Sequence, residues 1–286
     1  MTIFPVRFFP GLWVASALFL GGCATDGNLD PLLAGTGSAA AAEPNPVLTQ
    51  TPAAQARQAK NRDENYETML RVARRTWSSQ DRKMAATLFQ RLHLQYPDRL
   101  DPLLDLAALL TEMAQPREAE LAYRAALSLE PDNRPARLGL AKILLRQEQP
   151  GEALDSYLML LAQNAKDRRA LNGAGVAEDL LGNGAAAQAY FKEALALAPN
   201  DIKTLNNLAY SLIRGGQPQA AVAYLEQATR LPGVTARTWG NLALAYGMLG
   251  QEREAARILR RTMDDEKVDE TLASYRRSPA PRQLPD

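Results

Sequence analysis

The chain has 286 residues, 46% of them hydrophobic, with 33 Lys+Arg against 32 Asp+Glu and a formal net charge of +1. That length allows one or two domains with a sizeable core, and the balanced charge argues against a dedicated nucleic-acid binder, which shows a basic excess. A single histidine (His93) and a single cysteine (Cys23) exclude a His/Cys zinc cluster, a Cys–His dyad and a disulfide framework within the chain.

Arg7 precedes an apolar run from Phe8 to Leu20, followed by Gly21, Gly22 and Cys23. A basic start, a short apolar core and small residues before a boundary predict a secretory signal peptide over 1–22. A membrane-spanning helix needs about 20 apolar residues, and Pro10 and Gly11 interrupt this shorter run. The ending Leu20-Gly21-Gly22-Cys23 resembles the bacterial lipobox. That resemblance implies cleavage between Gly22 and Cys23 and acyl chains, palmitate among them, on Cys23; the alternative is an ordinary signal peptide that contains a cysteine. Several chains hold a protein durably to a bilayer where one holds it weakly. Ala24 stands where Asp typically signals inner-membrane retention, so the resemblance implies the periplasmic face of the outer membrane. From Cys23 to Lys60 the chain is rich in Ala, Gly, Pro and Thr with no sustained period, which predicts a flexible tether. A helical stretch near Ala53–Lys60 packing on the next element is the alternative there.

From residue 66 the sequence repeats every 34 residues, with units starting at 66, 100, 134, 168, 202 and 236. The twentieth place is Ala85, Ala119, Ala153, Ala187, Ala221 and Ala255. The eighth is Ala73, Ala107, Ala141, Gly175, Ala209 and Ala243, and the twenty-fourth is Phe89, Tyr123, Tyr157, Phe191, Leu225 and Leu259. The segments Trp239-x₂-Leu242-Ala243-x₂-Tyr246 and Ala187-x₃-Phe191 with Pro199 resemble the tetratricopeptide repeat. The resemblance implies an all-α fold, a right-handed superhelix or α-solenoid of six helical hairpins over 61–276, ending in a capping helix near 268–277. Small residues at places eight and twenty let paired helices cross closely. Gly182, Gly216 and Gly250 suit left-handed turns between them, while Asp98, Asp132 and Asn200 are the expected helix caps. Pro279, Pro281 and Pro285 predict a disordered tail over 277–286.

Solenoids of this kind present a concave groove lined by the first helix of each unit, at places two, five, nine and twelve. Those places hold Arg169, Asn172, Val176 and Asp179, then Lys203, Asn206, Tyr210 and Ile213, then Arg237, Gly240 and Leu244. Arg169, Lys203 and Arg237 form a cationic row at one repeat spacing, suited with Asn172 and Asn206 to hold an acidic group or a C-terminal carboxylate of an extended peptide. Solvated charges and repeat-consensus asparagines are the bland alternative, and Asn207 and Asn241 are read as structural. Trp77, beside Glu67, Leu70 and Arg74, is either an exposed partner anchor or a residue packed under the preceding linker. His93 is expected at the surface or between helices, Trp239 in the repeat core, and Asp264-Asp265-Glu266 at a solvated helix end. No catalytic residue, metal site or cofactor is expected.

Three further segments, Asn241–Gly250, Glu254-Ala-Ala-Arg257 and Leu272-Ala-Ser-Tyr275-Arg-Arg277, look like those of the TadD family, repeat lipoproteins of the tight-adherence (Flp pilus) secretion system. The resemblance implies a non-enzymatic, outer-membrane-anchored adaptor with pilotin-like support of the secretin, whose partners are a secretin or pilus assembly components. The alternatives are a general cell-envelope scaffold or a type IV pilus pilotin-type lipoprotein. A periplasmic enzyme would require a convergent carboxylate cluster, and the sequence offers none.

Overall fold

The computed structural model describes residues 51–261 and 263–277, with side chains through Tyr275. The signal peptide, the Gly22–Cys23 junction, the tether as far as residue 50 and the tail beyond 277 lie outside the described residues. Thirteen α-helices and no strand make up the described part. The first six are α1 (Pro52–Ser78), α2 (Arg82–Gln95), α3 (Asp101–Glu112), α4 (Pro116–Leu129), α5 (Arg134–Arg146) and α6 (Pro150–Gln163). There follow α7 (Arg168–Leu180), α8 (Gly184–Leu197), α9 (Ile202–Arg214), α10 (Pro218–Thr229), α11 (Ala236–Met248), α12 (Glu252–Leu259) and α13 (Asp265–Arg277). Each consecutive pair from α1–α2 to α11–α12 is one of the 34-residue units, and α13 closes the end. The fold is the all-α repeat solenoid expected from the sequence.

Packing explains the period. All six alanines of the twentieth place are fully buried, as are the five alanines of the eighth. A helix pair whose contact is made of methyl groups approaches closely, and larger side chains then fill the flanks. The twenty-fourth place supplies that bulk, from Phe89 at 0% exposed to Tyr123 at 8%. Tyr123 and Tyr157 lie over glycines of the next unit. A Cβ built on Gly139 or Gly173 would lie 2.2 Å from the Cζ of Tyr123 or Tyr157 respectively. Phe191 leans instead on Gly175 of its own unit, where a Cβ would lie 2.6 Å away.

The turn between paired helices requires a positive φ at the fifteenth place of every unit. Gly182, Gly216 and Gly250 meet it at 88°, 76° and 72°, whereas Gln80, Ala114 and Glu148 adopt 68°, 55° and 59°. A side chain there carries a cost of about 1–2 kcal/mol that glycine avoids, so the first three hairpins hold strain that the last three lack.

Three expectations shift. The caps fall later than Asp98, Asp132 and Asn200, because the turn after each closing proline runs further before the helix starts. Asn133 accepts from Ala136 N at 3.0 Å, and Asp167 accepts from Arg169 N and Ala170 N at 3.0 and 3.2 Å. The α3 N-cap is Leu100, with no side-chain bond, and Asp98 pairs with Arg62 instead. Residues 52–60, read as the end of the tether, are the first turns of α1, exposed apart from half-buried Ala54. Thr51 caps that helix and proline occupies its first turn. Arg277, read as the first tail residue, closes α13.

Polar ladders tie neighbouring units together. Tyr66 donates to Asp101 at 3.1 Å, Arg99 pairs with Asp63, and the Tyr66 and Tyr96 rings meet edge-on at 5.2 Å. Arg134 holds buried Asp167 at 2.6 Å. Burial alone would raise that carboxyl's pKa, but the guanidinium and two backbone N–H groups hold it below the usual carboxylate range.

Candidate functional site

First helices stand side by side one unit apart, so equal places of successive units line up on the concave side. From α5, α7, α9 and α11 this arrangement brings Lys142, Arg146, Arg168, Arg169, Lys203 and Arg237 around one cavity of about 640 Å³. Asp201 is the one carboxylate among its lining residues, and its Oδ2 accepts from Thr204 Oγ1 at 2.6 Å. Asn172, Asn207, Val176, Gly173 and Tyr157 complete the walls that matter here.

Several arginines of the chain are paired, as Arg74 with Asp105 at 2.6 Å, Arg124 with Glu120 and Glu152 at 2.7 and 2.9 Å, and Arg214 with Asp179 at 3.9 Å. Among the described residues, no carboxylate lies within salt-bridge distance of Lys142, Arg168, Arg169, Lys203 or Arg237. Lys142 registers the crowding. Partial desolvation between the walls, then the positive charges of Lys203, Arg169, Arg146 and Arg134, pull its pKa below the ordinary lysine value.

The expected groove residues divide. Arg169, Asn172, Lys203 and Arg237 meet at the cavity, with Val176. Asn206 does not: it is buried, and its Oδ1 accepts from Asn241 Nδ2 at 3.0 Å, a rung between units 5 and 6. Asn172 serves both purposes, since it lines the cavity while its Oδ1 accepts from Asn207 Nδ2 and Thr204 Oγ1, each at 3.1 Å. Tyr210 is exposed but is not among the lining residues. Ile213 and Leu70 turn into the core, and Asp179 accepts from Ser211 Oγ at 2.9 Å.

Trp77 is half-buried and not an open anchor, and the linker as far as residue 50 lies outside the described residues. Its ring meets Phe89 edge-on at 6.1 Å and its Nε1 donates to Glu112 at 3.0 Å. His93 is half-buried, with Nδ1 enclosed and unpartnered. Trp239 packs against the core, with Arg261 over its ring at 4.4 Å. Asp264 accepts from the backbone N–H of Lys267 at 3.0 Å at the start of α13. Among the described residues no group of three or more His, Cys, Asp or Glu is placed to hold a metal ion, and no helix is long and apolar enough to cross a membrane.

Sequence reasoning missed Lys142, Arg146, Arg168 and Tyr157. Lys142 stands at the ninth place of unit 3, so carrying the groove places back by one unit finds it. Tyr157 comes from a second helix, and its signal is the glycine sixteen residues later that lets its ring through.

Family models of the tetratricopeptide repeat match residues 110–174, 169–201 and 190–223. Among solved structures the fold is similar to PilW, described as a widely conserved type IV pilus biogenesis factor. The match has 20% identity and a TM-score of 0.64, over 73% of this chain and 97% of that one. It is also similar to the pilF protein of Pseudomonas aeruginosa, at 19% identity and a TM-score of 0.61, over 75% and 99%. A third likeness is to MamA of Desulfovibrio magneticus RS-1, at 19% identity and a TM-score of 0.55, over 58% and 94%. No curated protein matches the chain in sequence.

Proposed function

We propose, from the premise that these residues form a stack of tetratricopeptide repeats, a protein-binding scaffold whose concave cavity grips an acidic, extended segment of a partner. The five unpaired cations around one cavity carry this reading. Like charges brought together around one cavity without counter-charges repel one another. An acidic segment would relieve that repulsion and be steered to the cavity by its field.

In its finer form the reading is a non-enzymatic adaptor of Flp pilus assembly. Acyl chains on Cys23 hold it to the periplasmic face of the outer membrane, and a secretin or pilus component is its partner. The lipobox-like Leu20–Cys23 and the TadD-like C-terminal segments support this reading. A role as a type IV pilus biogenesis factor is the second reading, supported by the shared fold with PilW.

Changing Arg169, Lys203 and Arg237 together to Glu should abolish crosslinking to the partner in whole cells while leaving the helical circular-dichroism signal intact. Unchanged crosslinked products would refute the cavity reading. Cys23→Ser should release the folded protein from the membrane fraction, and continued co-sedimentation with outer membranes would refute the anchor.

A further inference from the structure

The cavity has a floor that its cations do not provide. Tyr157 is 2% exposed, yet it lines the cavity, because Gly173 leaves a window in α7 through which the hydroxyl end of the ring passes. Among the described residues its Oη has no hydrogen-bond partner. The equivalent tyrosine one unit earlier, Tyr123, lies over Gly139 in the same way, but it does not line this cavity. The Tyr157 hydroxyl is not enclosed among protein atoms but opens on the cavity, so it is a donor or acceptor held ready for something that enters there. Burial pushes the phenol's pKa upward, which keeps its proton on at neutral pH. Beneath a ring of ammonium and guanidinium groups, a neutral O–H that can only gain by donating suits an oxyanion.

We infer that Tyr157, through the Gly173 window, donates a hydrogen bond to an Asp or Glu carboxylate of the bound protein segment, and that Lys142 and Lys203 neutralise this carboxylate. This rests on the proposed gripping of an acidic segment and adds to it the fixed point of recognition. The cationic row attracts any acidic chain; the hydroxyl selects where one carboxylate comes to rest. A charge-assisted hydrogen bond of this type is geometrically selective, which the exposed cations are not.

The test titrates the full chain in detergent with a fluorescein-labelled hexa-aspartate peptide, following anisotropy over a range of salt concentrations. Tyr157→Phe should weaken binding about tenfold with an unchanged salt dependence, since no charge is lost, and should leave the denaturation midpoint equal to or above that of the parent. Lys203→Gln should instead flatten the salt dependence. Tyr123→Phe should bind as the parent does. Parent-like binding by Tyr157→Phe overturns the inference and leaves the cavity reading standing, whereas no binding by the parent chain overturns both. Equal, Tyr157-dependent binding of an eight-residue oligothymidylate would overturn the assignment to an acidic protein segment.

Discussion

Phe191→Ala is expected to cost about 3–5 kcal/mol and to split the unfolding of the described domain into two transitions. The ring is 1% exposed and supplies most of the bulk in unit 4. The buried residues that α7 offers there are Ala170, Leu171, Gly173, Ala174, Gly175 and Ala177, only one of them large. The apolar core is also divided at this unit. One cluster runs from Tyr66 to Ala174 and the other from Ala187 to Leu272, with Phe191 in the second. In a stack where each unit touches only its neighbours, stability is close to a sum of unit and interface contributions. A cavity at the central unit therefore weakens the link through which both halves melt together. Phe89→Ala removes an equally buried ring at the end of the stack, where the loss should appear as fraying of α1 and α2 alone. Denaturant titration with peptide-resolved hydrogen exchange distinguishes the two variants. A single cooperative transition with a parent-like midpoint for Phe191→Ala would show that the glycine-rich contact of α7, and not the ring, joins the halves.

What the sequence made legible follows from where the determinants sit. The small residues at places eight and twenty mark helix crossings within a unit, so counting in steps of 34 residues recovered the hairpins, and the need to cover the open end of the stack pointed to the closing helix. Arg169, Lys203 and Arg237 recur at that step and were found the same way. Tyr157 was hidden because its place is a core place, filled by aromatic or aliphatic side chains in every unit. Its access to the groove depends on a missing Cβ in another helix, and one repeat register does not reveal a contact between two places. Asn206 went wrong for the opposite reason. It stands at a groove place, but the next unit's Asn241 uses its carbonyl oxygen and buries it. The caps slipped by up to two residues because closing prolines mark where a helix has ended, and the following turn decides where the next begins.

Gly173→Ala should run against the usual effect of that substitution. In a helix interior alanine is favoured over glycine by about 1 kcal/mol, and at Gly240, where a Cβ would meet nothing within 4 Å, Gly240→Ala should show that gain. At Gly173 the new Cβ would lie 2.2 Å from Tyr157 Cζ and 2.3 Å from Cε1, so the ring must leave its place. Overpacking of this kind costs about 1–3 kcal/mol; it exceeds the helical gain, and the displaced hydroxyl no longer reaches the cavity. The variant should therefore lose stability and bind the hexa-aspartate peptide at least as poorly as Tyr157→Phe. The chain itself indicates the remedy: unit 5 has Leu225 at the tyrosine's place, and Asn241, which has a Cβ, sixteen residues later. Tyr157→Leu combined with Gly173→Ala should recover stability beyond the sum of the single changes while peptide binding stays weak. That pattern separates the window's packing from its chemistry, because the fold is restored while the phenol with its hydroxyl is gone. A double variant that regains full affinity would show that the cations alone hold the carboxylate.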